Sequence, residues 1–378
     1  MILRCISSLC IIIIFNSCQT DYDQIGNFPE IVNLILLDSL IIEESNGFLA
    51  RPSSATLIND SLIAIESNYS KGVWVFNRFT GKELNSILNK SVMEKAFFIA
   101  GSDWTLYPTV YILDGITKSV YQFDLSQNTN QAEKYVNKIT LKVPEGFRIM
   151  PETNTFFYND GEFIVELAST TFKSSKDFYK NAEEFLGVFD SGGNLKFRFL
   201  NYPESLSELN GFLEPSFVYN SGLGNPDRLF LSFPSQKEIW VVDSLGKSSD
   251  LKKITFPESR YFDFELPLLE KEAGNNMGST ENKPATHYFG DIKMDEKNLY
   301  MQSYMKDNKN LDRFLLTSHI MRYDLETKTW SESQNPQNYI NVGEFAGFLN
   351  DTLIFVDAGM INKNEKYIKR AILKPIKE

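Results

Sequence analysis

The sequence predicts an all-β chain, on three observations. Short runs rich in Val, Ile, Phe, Tyr and Trp alternate with clusters of Gly, Asn, Asp and Ser, the pattern of strands separated by turns. An apolar strand that runs into Asn or Asp recurs five times: "VWVFNRFTGK" from Val73, "VYQFDLSQN" from Val120, "LGVFDSGGN" from Leu186, "IWVVDSLGK" from Ile239 and "IMRYDLETK" from Ile320. Amphipathic helices are scarce; the best, "SSKDFYKNAEE" at Ser174–Glu184, is short and polar enough to be an inserted turn.

From the N-terminus, the first element precedes the folded part. Arg4 gives a positive start, and Cys5–Phe15 is an apolar run of eleven residues interrupted only by Ser7 and Ser8. A membrane-spanning helix needs about 20 such residues and a secretory signal about 7–15. The run ends in Asn16, Ser17 and Cys18, and a small residue before a cysteine is how bacterial lipoprotein signals end, although Phe15 stands where an aliphatic residue is usual. Residues 1–17 are therefore expected to be removed, leaving Cys18 lipidated and the membrane as its partner. Cys5 and Cys10 leave with the signal, so the mature chain has no free thiol and no cysteine zinc site. One acyl chain anchors only marginally, two or more stably. Residues 18–27, with Asp21 and Asp23, form a polar tether, and residues 28–378 a single domain. The expected location is the cell envelope, as an outer-membrane lipoprotein facing the periplasm or the surface.

Each repeated strand has an apolar run before it: "SLIAIES" from Ser61, "TVYILDG" from Thr109, "EFIVELA" from Glu162, "RLFLSFP" from Arg228 and "NLYMQSY" from Asn298; a sixth, "DTLIFVD" from Asp351, precedes "YIKRAILKP". Asn77, Asp124, Asp190, Asp243 and Asp324 are placed to bond the backbone two residues on, and Gly81, Gly192 and Gly246 to supply positive φ. Six units at these spacings fit a six-bladed β-propeller, whose blades have four strands and about 40–50 residues. The last unit has two clear strands, while "IVNLILLDSLII" from Ile31 has no unit of its own, so the N-terminal strand is expected to complete the last blade and close the ring. The competing architecture is two β-sandwiches joined through Pro257–Gly290, a stretch flanked by "RYFDFELP" and "HYFGDIKM".

The lipoprotein start, the six strand–Asp–turn units and stretches such as "YFGDIKMDEKNLYMQSY" resemble the Bacteroidota lipoproteins of domain of unknown function 4221, and more broadly the six-bladed propeller lipoproteins of that phylum. The resemblance covers nearly the whole mature chain and its motifs are structural. It implies a fold and a location, and carries over no catalytic residue.

The chemistry is sparse. A net charge of −11 with scattered basic residues argues against a nucleic-acid partner. The two histidines, His287 and His319, stand far apart and are expected to be packed or solvated strand residues; no Gly-x-Ser-x-Gly, His-Glu-x-x-His or P-loop occurs. Glu66, Asp114, Glu166 and Asp357, with Ser232 and Gln302, end the first strand assigned to each unit. If that strand lines a central channel, the four carboxylates form a candidate channel or cation site, with Ca²⁺ the cation to expect; otherwise each opens a turn. Trp74 and Trp240 share a repeat position that suits packing between blades. Trp104 and Trp330 lie in turn-like contexts and are candidates for stacking on a sugar or peptide, or for edge packing. Two functions follow. The favoured one is a binding or scaffold module for a protein, peptide or glycan; the alternative is a glycan-active or other hydrolase using two channel-mouth carboxylates roughly 5–10 Å apart.

Overall fold

The computed structural model describes residues 28–45, 49–50, 52–88, 98–126, 135–150, 155–171, 178–208, 219–220, 228–233, 236–243, 251–261, 287–306, 316–357 and 365–376. The signal, Cys18 and the tether lie outside them. The first described strand is β1 (Glu30–Ile41). A four-stranded sheet follows, β2 (Ser54–Leu57), β3 (Leu62–Ser67), β4 (Gly72–Asn77) and β5 (Glu83–Leu88), in sequence order. The second sheet repeats that order with β6 (Ile99–Asp103), β7 (Thr109–Asp114), β8 (Ser119–Asp124) and β9 (Asn137–Thr140).

The third sheet has five strands: β10 (Phe147–Ile149) and β11 (Phe156–Asn159) both pair with β12 (Glu162–Ser169), which continues to β13 (Glu184–Phe189) and β14 (Leu195–Asn201). The fourth holds β15 (Tyr219–Asn220), β16 (Leu229–Ser232), β17 (Glu238–Val242) and β18 (Leu251–Thr255). The remaining strands are β19 (His287–Met294), β20 (Asn298–Lys306), β21 (Leu316–Asp324), β22 (Thr329–Ser333), β23 (Gln337–Asn338), β24 (Glu344–Leu349), β25 (Thr352–Val356) and β26 (Tyr367–Pro375). They share one nine-stranded sheet with β1, ordered β19-β20-β21-β22-β1-β26-β25-β24, with β23 on β21.

The hairpins form where Asn and Asp interrupt the apolar runs. Asn77 Oδ1 accepts from the amides of Phe79 and Thr80 at 2.9 and 3.0 Å, Asp324 Oδ1 from Glu326 and Thr327 at 3.0 and 2.8 Å, and Asp124 Oδ1 from Ser126 at 2.9 Å. Asp190 Oδ1 does the same for Gly192 and Asn194, but the positive φ in that turn belongs to Gly193, not Gly192. A Cβ at Gly193 would run into the Thr140 carbonyl of the neighbouring sheet, so the glycine is required by close approach as well as by backbone shape. Gly81 has positive φ as expected, whereas Gly246 lies outside the described residues. Asp243 differs: its carboxylate pairs with Arg228 at 2.6 Å and Lys252 at 2.5 Å. Of the predicted helix, one turn, Phe178–Asn181, falls within the described residues.

Strands alternate faces, and here both faces are apolar because each sheet is packed on two sides. In β3, Ala64 packs with Val110, Ile112 and Phe123 of the second sheet, while Ile63 and Ile65 pack with Ala346, Ile354 and Val356 of the last strands. Tyr111 and Leu113 meet Phe163 and Val165; Ile164 and Leu186 meet Leu229 and Trp240; Phe230 and Ile239 meet Met301 and Met321; Tyr300 and Ile320 meet Phe345 and Phe355. The sheets thus follow one another around a ring in a propeller-like arrangement, and their first strands touch: β2 with β24, β6 with β11, β15 with β19, and β19 with β24. β18, which precedes the stretch that would link two sandwiches in the competing architecture, and β19, which begins at its end, belong to neighbouring sheets of this ring.

The chain ends meet in the nine-stranded sheet. β1 runs antiparallel to β26, from Val32 opposite Pro375 to Ile41 opposite Tyr367, with a bulge between Leu36 and Asp38. Its other edge pairs in parallel with β22 through Glu30–Val32.

Candidate functional site: buried polar groups between the sheets

The repeated polar position lies on the second strand of each sheet, not the first. Glu66 is on β3, Asp114 on β7, Glu166 on β12, Ser232 on β16 and Gln302 on β20, while Asp357 directly follows β25. The true first strands escaped the sequence because they are short or mixed in composition: "SATL", "IAGSD", "FFYN" and the two-residue β15. All six polar side chains are buried.

A buried polar group costs several kcal/mol unless it is hydrogen-bonded, about 2–7 for a neutral one, so partners decide what these residues do. Several reach a strand with which their own strand is not paired. Glu66 accepts a short bond from Ser102 Oγ on β6, and Ser102 Oγ in turn accepts from Trp104 Nε1 at 2.7 Å. Burial pushes the Glu66 carboxyl up, and hydrogen bonds from Ser102, Ser54 and Trp104 oppose it. Ser232 Oγ donates to the Gly290 carbonyl on β19 at 3.3 Å. Gln302 donates to the Gly343 carbonyl at 2.9 Å and accepts from the Phe345 amide on β24 at 3.0 Å. Glu166 accepts from Tyr202 at 3.3 Å, and burial together with that carboxylate holds the Tyr202 phenol well above its usual range. Asp114 instead opens a turn, accepting from the amides of Phe98 and Ile116 and from Thr117 Oγ1 at 3.1, 3.0 and 2.5 Å. Asp357 is ion-paired with Lys369.

Glu66, Asp114 and Glu166 thus lie on three different strands and Asp357 just past a fourth, each with partners of its own, and among the described residues they do not gather into a donor set for Ca²⁺. Among the described residues no three His, Cys, Asp or Glu side chains gather closely enough to hold a metal ion. Trp104 is buried among Val110, Tyr121 and Phe123. Trp330 is half-buried, its ring 5.0 Å from Phe256 and 4.9 Å from Tyr323, with Nε1 donating to the Thr255 carbonyl. Both rings are in contact with this chain's own side chains. Trp74 and Trp240 lie between sheets, Trp240 edge-on to Phe233.

A further polar group was not visible in the sequence. His319 on β21 lies opposite Ser303 on β20, and Glu332 on β22 is on the same face, because Met321 opposes Glu332. His319 Nε2 is 3.4 Å from Glu332 Oε2, and neither side chain is exposed. The stretch after β18 supplies Ser259, whose Oγ donates to Glu332 Oε2 at 2.5 Å, and the Arg260 amide, which donates to Oε1 at 3.2 Å. Burial lowers His319 to about 4, so the imidazole is neutral at neutral pH. Burial also raises Glu332, opposed by Ser259 and Arg260. Among the described residues neither ring nitrogen reaches hydrogen-bond geometry, although the Ser333 backbone lies close enough to oppose the fall in pKa, and Ser303 Oγ makes no hydrogen bond. The order serine–glutamate–histidine differs from that of a nucleophile activated by a base, because the hydroxyl is committed to the carboxylate. His287 begins β19, and its side chain lies outside the described residues.

No protein-family profile matches the chain, and no curated protein matches it in sequence. Solved structures do match. A member of the DUF4221 family from Bacteroides vulgatus superposes with a TM-score of 0.67 at 13% identity, over 92% of this chain and 100% of that one. The chain shares the fold of that DUF4221 structure. A Bacteroides fragilis protein called "Putative exported protein" gives a TM-score of 0.50 at 14% identity, over 91% and 96% of the two chains. The WD40 beta propeller domain of Doa1 gives 0.40 at 11% identity, over 89% and 96%. The DUF4221 fold agrees with the resemblance carried by the strand–Asp–turn units, and at these identities the likeness concerns the fold alone.

Proposed function

We propose that the chain is a cell-envelope lipoprotein anchored through Cys18, whose six-bladed propeller binds or scaffolds a protein, peptide or glycan. The six-blade reading divides the nine-stranded sheet at its short parallel join between β22 and β1. Each half then has four principal strands, β19-β20-β21-β22 and β24-β25-β26-β1, like the other sheets. The six apolar contacts around the ring support the same count. Deleting residues 28–45 would leave β26 with β25 as its single partner and an open edge, and should cause aggregation; a monomeric deletion protein with unchanged thermal stability would overturn closure by β1.

The observation that carries the binding reading is the use made of the acids. A hydrolytic channel needs two carboxylates free to face a substrate, whereas Glu66 and Glu166 are buried and occupied with Ser102 and Tyr202. The ring is left to present its loops. Cross-linking of the full lipidated chain in an outer-membrane extract, followed by saturable rebinding of the recovered partner to the purified protein, is the expected result. Turnover of a polysaccharide that disappears in Glu66→Gln or Glu166→Gln would replace binding with hydrolysis. Anchoring is tested separately: Cys18→Ala should release the protein from membranes or leave an unprocessed precursor, and unchanged mass and fractionation would remove the anchor.

A further inference from the structure

β1 carries more exposed apolar surface than its pairing uses. Phe28, just before it, and Ile35, Leu36, Leu37 and Ile41 within it are between 37% and 52% exposed. The β4–β5 turn joins them, since the Glu43 amide donates to the Gly81 carbonyl at 2.8 Å and a Cβ at Gly81 would collide with the Ile41 carbonyl. That brings the exposed Phe79 and Leu84 beside the strand's end, and Ile376 follows Pro375, the partner of Val32. Eight of the thirteen exposed large apolar side chains among the described residues therefore belong to β1 and the segments next to it, a concentration unlike the scattered exposure of ordinary surfaces.

The charges around this strip are arranged in a particular way. The Arg260 guanidinium lies 5.3 Å from the ring centre of Phe28, and that of Arg78 lies 4.1 Å from that of Phe79. An arginine thus covers an exposed phenylalanine near each end, on a chain whose net charge is −11. Between them, Arg370 holds Asp38 in a bidentate pair. Apolar side chains flanked by aromatics and cations suit a lipid interface, where rings sit at headgroup depth and guanidinium groups reach phosphates.

We propose that this strip, through the face that Leu36 and Ile41 share opposite Ala371 and Tyr367, rests on the bilayer that holds Cys18, an inference that depends on the anchoring reading above. The tether says why lipid is the occupant. Cys18 is ten residues before Phe28, a span of at most about 35 Å when extended and roughly 18 Å for a flexible chain. The strip cannot leave the membrane's vicinity, so even weak lipid contact is favoured by high effective concentration. Contact is shallow: beyond Val32 no described strand pairs with the outer edge of β1, where the Leu34 carbonyl accepts from Gln337 Nε2 at 3.4 Å, and a backbone edge without a strand partner must remain hydrated.

The test replaces the lipid with an artificial anchor. The full mature chain carrying Cys18→Ser and an N-terminal hexahistidine tag is attached to vesicles of phosphatidylethanolamine and phosphatidylglycerol containing a nickel-chelating lipid. No cysteine follows position 18, so Leu36→Cys, with Ile41→Cys as a second variant, takes a single fluorophore; Phe197→Cys on β14 is the control. Brominated lipids should quench the labels at 36 and 41 at least twofold and leave that at 197 unchanged. Equal or absent quenching at all three on vesicle-bound protein overturns the proposal. So does pyrene excimer emission at 36 without lipid quenching, which would place a second copy on the strip. Because the tag supplies attachment, these outcomes are independent of whether Cys18 is lipidated, which the fractionation of Cys18→Ala decides.

Discussion

At the junction of the first two sheets, Glu66 accepts from Ser102, whose oxygen is bonded by Trp104; at the junction of the fourth sheet with β19–β22, Glu332 is bonded by Ser259 and Arg260 while neither nitrogen of the neighbouring His319 reaches hydrogen-bond geometry among the described residues. Both carboxyls are buried and both are pushed up by that burial. The difference is where the surplus lies. Around Glu66 the donors converge on one acceptor, so removing the carboxylate strands them while removing one donor leaves the carboxylate others. Around Glu332 the imidazole is a further polar body, 3.4 Å from the carboxylate but without a well-formed hydrogen bond among the described residues, so its effect appears when a proton is added.

Four measurements sharpen or break this contrast. Glu66→Ala should cost the most, about 3 kcal/mol by urea unfolding at pH 7, because the Ser102 hydroxyl loses its acceptor inside the protein; a change below about 1 kcal/mol would show that the chain of bonds contributes little. The second is a pH effect of similar size at the other junction. His319 falls from 6.5 to about 4 on folding, so between those values the unfolded chain binds a proton that the native state does not. Stability from this group is therefore complete above pH 6.5 and is lost as pH falls towards 4, by roughly 3 kcal/mol. The raised carboxyls act in the opposite sense, favouring the native state as pH falls, so the informative quantity is the difference between wild type and His319→Gln. That variant should lose less stability between pH 7 and pH 4.5; identical profiles would mean that His319 is solvated.

Ser102→Ala comes third, with a loss of about 1–2 kcal/mol, because Glu66 retains other donors. Ser303→Ala should have the smallest effect, within about 0.5 kcal/mol, since the hydroxyl opposite His319 makes no hydrogen bond among the described residues. A loss above 1 kcal/mol there would show that a bound water or other guest uses the serine and the imidazole together.

Much of the fold was legible because the signals are local. The turns at Asn77, Asp124, Asp190 and Asp324 depend on a side chain bonding amides two to four residues away, and the sequence contains all the partners. The strands from Leu62, Thr109 and Leu229 stood out because packing on both sides makes them continuously apolar. The pairing of β1 with β26 was inferred from a surplus strand at one end and a shortage at the other. The first strand of each sheet was not legible: a run such as Ser54–Leu57 owes its structure to β3, and without the partner its composition is that of a loop. Assigning the polar residues to a channel followed from that missing strand.

By itself, the sequence determined the all-β class, the repeat, the turn residues and the end-to-end strand pairing, because each follows from side-chain periodicity or from bonds within a few residues. The tertiary structure decided what the buried polar residues do. Ser102 lies 36 residues from Glu66, and Ser259 lies 73 residues from Glu332. Whether such a carboxylate faces a channel, caps a turn or joins two sheets depends on which distant donor the ring brings within bonding distance, and burial makes that choice costly to leave unfilled.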